Sequence, residues 1–331
     1  MKIIKEKYTK IPVMEIQKDI KLIKEKFAEK LSKKLDLVRV SAPLLVTKES
    51  GLQDDLSGTE RKVSFDVLKD GKEIEIVQSL AKWKRFALKK YGFSEQKGLY
   101  TDMTAIRRDD KMDATHSIYV DQWDWEKVIT KEQRTQDYLQ STVEQIVKAI
   151  SQTAKYLKRR GVDCVDICEK VHFITSQELL DKYPTCSEKE REYLITKKYK
   201  TVFIMQIGDD LSDGKPHDLR APDYDDWSLD GDLLFYHEVL DIALEISSMG
   251  IRVDKKALVS QLEKSGEIER MQYAYHKAIL QDELPLTIGG GIGQSRLCML
   301  LLKRAHIGEV QSSYWDKQTI KECKEQGIEL L

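Results

Sequence analysis

The stretch from Leu286 to Leu302, LTIGGGIGQSRLCMLLL, constrains this chain more than any other. Glycine fills four of the five positions 289–293, so the backbone there can approach another group closely and take torsions that a Cβ forbids. The apolar run Leu297 to Leu302 that follows has the composition of a buried helix. A glycine-rich entry into a helix presents free N–H groups and the positive end of the helix dipole, which suits an anion or a nucleotide. No Gly-Lys-Ser/Thr ending follows, so this is not a P-loop, and the spacing Gly289, Gly291, Gln294 misses the dinucleotide fingerprint. Arg296 at the helix start is unusual. On pattern alone two readings stay open: a nucleotide site, or a tight strand–helix packing point with Arg296 solvated.

The 331 residues accommodate about two domains or one large α/β unit. Lys+Arg 55 against Asp+Glu 56 leaves a net charge of -1, without the basic excess expected of a chain that lives on nucleic acid. No segment reaches the roughly 18 apolar residues of a membrane helix, and the start MKIIKEKYTK does not read as a signal peptide, so a cytoplasmic location is expected. Cys164, Cys168, Cys186, Cys298 and Cys323 are odd in number and lack metal-ligand spacing; they read as free thiols in a reducing compartment.

Along the chain, Ile16, Ile20, Ile23, Phe27, Leu31 and Leu35 make one helical stripe. The strand-like run 37–46 contains Pro43, which confines it to a sheet edge: either a dimer element or a solvent-facing edge. A polar, acidic loop spans 51–58. The alternation Val63/Phe65/Val67 and Ile74/Ile76 then predicts a hairpin with a two-residue turn at Asp70-Gly71. Ser79 suits the cap of a helix whose Lys82, Lys84 and Arg85 either hold phosphate or form a solvated basic face. In a strand across 116–126, Gln122 and Asp124 share one face with Ile118 and Val120, while Asp121, Trp123 and Trp125 share the other. Carboxylates placed among bulky apolar groups mark a site, because burying them is expensive without a partner. A helix over about 131–160, strands at 171–174 and 202–205 and a charged helix around 187–198 follow. Seven aspartates between Asp213 and Asp232, with Arg220 and the aromatic Tyr224 and Trp227 interleaved, invite a divalent cation. In the strand-like run 240–253, alternation puts Asp241, Glu245 and Ser247 on one side and Ile242, Leu244 and Ile246 on the other. Helices are expected at 255–264 and 267–281. The whole reads as one continuous α+β domain.

Six segments carry a resemblance: SLAKWKR (79–85), GLYTDM (98–103), YVDQWDWE (119–126), SDGKPHDLRAPDYDDWS (212–228), SSMGIRV (247–253) and TIGGGIGQSRL (287–297). In this order, over nearly the whole chain, they resemble the ammonia-dependent aspartate–ammonia ligases, asparagine synthetases of the A type. That family is similar in turn to the catalytic domain of class II aminoacyl-tRNA synthetases, the aspartyl and asparaginyl enzymes especially. The resemblance implies one domain over 1–331 with an antiparallel sheet of six or more strands flanked by helices, assembled as a homodimer. The first helix and the Pro43 strand would lie at the dimer interface.

It also implies a two-step reaction, in which aspartate and ATP give β-aspartyl-AMP and pyrophosphate, and ammonia then gives asparagine and AMP. Arg107 would clamp the α-phosphate and Arg296 would stack over the adenine, with Gly289 and Gly291 beneath the nucleotide. An arginine suits both tasks, having a planar face and a fork of donors. Ser79, Lys84, Ser117, Gln122 and Asp124 would hold aspartate. Asp54, Asp225 and Asp232 would complete the aspartate and ammonium end, Ser248 and Arg252 would lie near substrate or nucleotide, and Glu245 and Asp241 would hold Mg²⁺. A tRNA synthetase would append an anticodon-binding domain, whereas here a single helix precedes the Pro43 strand. A glutamine-dependent enzyme would keep a cysteine near its start, and the first here is Cys164. The substrates expected are therefore L-aspartate, ATP and ammonia, with no tRNA and no membrane.

Overall fold

The computed structural model describes residues 3–56 and 60–331; Ser57 and Gly58 of the expected acidic loop lie outside the described residues. Helix α1 (Val13–Leu35) buries Ile16, Ile23, Phe27, Leu31 and Leu35 along the expected stripe. Asp36, left-handed at φ 59°, ends it and donates its N–H back to Ser32 O. Pro43 then divides the single expected strand into β1 (Leu37–Arg39) and β2 (Leu45–Val46), which join different sheets. Strands β3 (Ser64–Asp66) and β4 (Glu73–Ile76) form the expected hairpin and, with β2, a small sheet. Its turn is longer than the dipeptide suggests. Val67 N–H closes on Lys72 O at 2.8 Å, so Asp70-Gly71 lies within a wider loop.

Helix α2 (Ala81–Lys90) leads to β5 (Gly98–Ile106) and β6 (Tyr119–Val128). Helix α3 (Gln136–Arg159) starts where Thr135 Oγ1 accepts the N–H of Tyr138 at 3.2 Å, a side-chain cap for an otherwise unpaired donor. There follow β7 (His172–Thr175), α4 (Ser176–Lys182), α5 (Glu188–Tyr199), β8 (Thr201–Met205), β9 (Asp225–His237) and β10 (Ile242–Arg252). After α6 (Lys255–Lys264), the helix expected over 267–281 is a 3-10 turn, Ile268–Gln272, followed by the short α7 (Ala274–Leu280). The glycine stretch is β11 (Thr287–Gly293), running straight into α8 (Gln294–Leu301); α9 (Lys317–Glu325) comes last.

The main sheet has the order β1-β5-β6-β11-β10-β9-β8-β7. The six strands from β5 to β8 are antiparallel throughout, as expected, while the edge strands β1 and β7 run parallel to their neighbours. One face of this sheet is the apolar core: Trp123, Trp125, Phe203, Leu233, Met249, Ile288 and Ile292 pack beneath α1, α3 and α8. Burying a side chain of this size contributes roughly 1.5–3 kcal/mol, so this face can carry much of the fold. The opposite face of the central strands is thereby free to be polar.

A bulge in β10 decides which residues reach that polar face. Glu245 pairs with Leu234 but Ser247 with Leu233, so one residue is inserted and the alternation shifts phase. Ser247 is therefore buried and Ser248, not Ser247, joins Glu245 above the polar face. The regular alternation expected from the sequence fails at this step, and a second register shift against β9 follows between Gly250 and Arg252.

Candidate active site

A cleft of about 500 Å³ opens on the polar face of β6, β11 and β10. Asp54, Ser79, Lys84, Arg107, Ser117, Gln122, Asp124, Asp225, Glu245, Ser248, Arg252, Gly291 and Arg296 all line it. Three expected site residues do not.

One end of the cleft is a buried lattice of ion pairs. Ser79 Oγ donates to Asp54 Oδ2 at 2.5 Å and accepts the N–H of Ala81, tying the helix entry to the site; the N-cap itself is Leu80, not the expected Ser79, and carries no side-chain cap. Lys84 Nζ pairs with Asp124 Oδ1 and reaches Gly290 O at 3.3 Å. Burial pushes the Lys84 pKa down, against the pull of Asp124 and Glu126. Arg252 donates to Asp225 and, at 3.1 Å from Nη2, to Glu126 Oε2, whose other oxygen accepts from Thr287 Oγ1 at 2.7 Å. Burial raises the Asp225 pKa, and Arg252 opposes the rise. Glu126 was missing from the expected site, although it continues the Gln122–Asp124 face by one more step of two and the alternation could have found it. Tyr224, over whose ring Arg252 lies at 5.7 Å, also lines the cleft.

The other end is cationic. Arg107 Nε donates to Gln78 O at 3.1 Å. Arg296 Nε donates to Thr115 O at 3.4 Å and its Nη1 to Glu245 O at 3.1 Å. Burial works against the charge of Glu245, yet Arg296, Arg220 and Lys189 together hold its pKa below the ordinary value. Arg220, from the acid-rich loop before β9, lines the cleft and pairs with Asp232.

The three exceptions have physical reasons. Asp232 meets the cleft only through Arg220; burial raises its pKa to about 7 while Arg220 draws it down. Gly289 lies under the ion-pair lattice, where a Cβ would sit 2.8 Å from both Arg252 Nη2 and Glu126 Oε2, so its missing side chain makes room for protein rather than nucleotide. Asp241, at φ 53° in the β9–β10 turn, accepts from Tyr193 at 3.0 Å and Tyr236 at 2.5 Å and pairs with Lys197, away from Glu245. Ser117 is at the wall, but its hydroxyl is engaged with Gln311 Oε1 at 2.6 Å.

The aspartate-rich loop is also corrected. Among the described residues no group of three or more His, Cys, Asp or Glu is placed to hold a metal. Side chains of the protein occupy three of these aspartates instead: Lys82 and Arg270 pair with Asp223, which His276 Nε2 also meets at 2.9 Å, Arg134 holds Asp226, and Arg220 holds Asp232. Lys82 is thus a structural cation, and Arg85 donates to Pro285 O and Val253 O; of the five basic residues in α2, Lys82, Lys84, Arg85, Lys89 and Lys90, only Lys84 lines the cleft.

A family model described as aspartate-ammonia ligase matches residues 14–327. An aspartate–ammonia ligase of Bacillus mycoides (strain KBAB4) is 56% identical over 320 residues, 96% of this chain and 98% of its own. One from Bacillus cereus (strain G9842) is likewise 56% identical over 96% of this chain and 98% of its own. In architecture the chain is similar to the Entamoeba histolytica asparaginyl-tRNA synthetase in complex with asparaginyl-adenylate, with a TM-score of 0.66 over 92% of this chain and 68% of that one at 13% identity. The Pyrococcus horikoshii asparaginyl-tRNA synthetase complexed with asparaginyl-adenylate gives 0.66 over 90% and 68% at 16% identity. The chain therefore has the class II synthetase fold.

Proposed function

The chain belongs to the aspartate–ammonia ligase family, and from that premise we propose that its cleft activates the β-carboxylate of L-aspartate with ATP and passes the acyl group to ammonia. The observation that carries this is the division of one cleft into an arginine end and an end rich in paired carboxylates. In the first step a β-carboxylate oxygen bonds to the α-phosphorus and pyrophosphate leaves. Two anions meet there, so fixed cations aimed at the phosphate lower the barrier. Arg107 takes the α-phosphate and Arg296 the face of the adenine. Glu245, the expected carboxylate ligand that lines the cleft, would hold Mg²⁺, and the ion would spread the phosphate charge. Asp241 is not part of that set.

Aspartate lies in the ionic end, its ammonium group near the carboxylates of Asp54 and Asp124 and its α-carboxylate near Lys84, Ser79 and Gln122, with Arg252 and Ser248 bordering it. In the second step the ammonia nitrogen bonds to the acyl carbon, AMP leaves, and one proton must be removed. Asp225 is suited to take it, because a buried carboxylate with a raised pKa is the stronger base. The chain acts as one catalytic unit, with ammonia rather than glutamine as donor and without tRNA. Among the described residues no helix is long and apolar enough to cross a membrane. A homodimer is supported by the exposed Val38 on β1, whose outer edge no strand covers among the described residues, and by the exposed Leu44 and Leu45 at the start of β2. Incubation with ATP, L-aspartate, Mg²⁺ and ammonium should yield AMP and asparagine in equal amounts. Formation of ADP, or equal turnover with glutamine in ammonia-free buffer, would overturn this reading.

A further inference from the structure

Behind the arginine end lies a second cavity of about 500 Å³, walled by α9, the β9–β10 turn and the segment 112–115. Asp113 and Thr115 line both cavities, so that segment is a shared partition. It is anchored on both sides. Ala114 O accepts the N–H of Ile307 at 2.7 Å, and Thr115 O accepts Arg296 Nε at 3.4 Å.

The floor of the second cavity is apolar: Leu240, His306 and Cys323 are all buried. Burial holds the pKa of His306 down at about 4 and raises that of Cys323 to about 11, so both are neutral near pH 7. The mouth carries Asp113 and Glu322, both exposed. Among the described residues no lysine or arginine lines the cavity. Thr319 Oγ1 is already donating to Asp316 at 2.6 Å. An apolar floor under a mouth charged by carboxylates complements a molecule with an apolar body and one positive end, and opposes an anion of the same shape.

We propose that this second cavity is a regulatory site for a small amphiphilic cation, an ammonium group on an apolar body, whose binding braces residues 112–117 and lowers the KM for ATP. The link is Thr115: a partition backed by a bound body holds its carbonyl, and through it Arg296, in place before ATP arrives. Preorganising a binding group in this way improves affinity without a new contact to the ligand. Regulation of this kind goes beyond the ligase reaction and is read out by binding as well as by activity.

The test is calorimetric titration of the full chain with n-hexylamine, n-hexanol and hexanoate, followed by ATP saturation kinetics with and without the amine. Hexylamine should bind up to about fivefold more tightly than hexanol, the scale of an exposed ion pair, and hexanoate least. The KM for ATP should fall in its presence. Thr319→Trp, which fills the cavity, should abolish amine binding and leave turnover without amine unchanged. Glu322→Gln, at an exposed position, should reduce the preference for hexylamine over hexanol if the first variant does not fold. Equal binding of the three probes, binding that survives Thr319→Trp, or an unchanged or raised KM for ATP would overturn the proposal.

Discussion

The guanidinium of Arg107 donates a single hydrogen bond among the described residues, to Gln78 O, so most of its fork is unspent in the resting protein. Arg107→Ala should therefore leave the circular dichroism spectrum unchanged and lower asparagine formation by about a hundredfold or more, the usual cost of losing one fixed transition-state donor. An unaltered rate would remove Arg107 from the phosphate. Asp225 makes a different prediction. Its pKa is raised by burial, so as the pH falls it is protonated earlier than an exposed aspartate and the base is lost. Wild-type turnover should decline on that acid limb. Asp225→Asn should abolish the limb and recover partly as pH or total ammonium is raised, because more free ammonia then needs no base. A defect of the same size at every pH would argue that Asp225 only positions Arg252.

At the scale of elements, two of the β11 glycines on the polar face, Gly289 and Gly291, have opposite duties. A Cβ on Gly289 would lie 2.7 Å from Trp125 O and against the Arg252–Glu126 pair, all fixed groups, whereas on Gly291 it would strike the amide of Gln122, the movable end of a side chain. Gly289→Ala should thus cost stability, about 1–3 kcal/mol by analogy with other overpacked sites, seen as a lower Tm. Gly291→Ala should fold normally and raise the KM for substrate by displacing Gln122. The reverse pattern would refute this division. Much of this was legible in the chain, because single elements announce themselves through period: the α1 stripe, the hairpin, and the face shared by Gln122 and Asp124. The bulge beside Glu245 was not, since one inserted residue leaves no mark in composition yet exchanges Ser247 for Ser248. Nor was the fate of the aspartates. Lys82, which holds Asp223, comes from 141 positions away, and only the closed fold shows that such a charge is already matched.

For the whole molecule, two buried histidines contribute to the acid response, and Asp225 and Asp230, raised by burial, oppose them. His237 and His306 are both lowered from 6.5 to about 4 by burial, so the unfolded chain binds protons that the folded chain refuses. Their stability contribution is complete above pH 6.5 and is lost as pH falls toward 4, on the order of 1.4 kcal/mol for every tenfold by which folding weakens proton binding at each ring. Asp232, raised from 3.8 to about 7, has the opposite sign in the same window. Between pH 7 and 5 the denaturant midpoint, compared with wild type, should lose less stability in His237→Gln and more in Asp232→Asn; identical pH profiles would refute both assignments. At the sheet edge, Val38→Asp with Leu44→Asp should convert a dimer to a monomer in sedimentation equilibrium; a wild-type monomer would dismiss the edge as an interface.

The strand order has a consequence for how the chain is made. β11 is the last strand to leave the ribosome, yet it sits in the middle of the sheet, between β6 and β10. Until residue 293 emerges, β5–β6 and β7–β10 are two separate half-sheets, each with a bare inner edge exposed to other chains. Nascent chains arrested before residue 287 should be cut by protease in both halves, and protection of the two halves should arrive together once β11 is out.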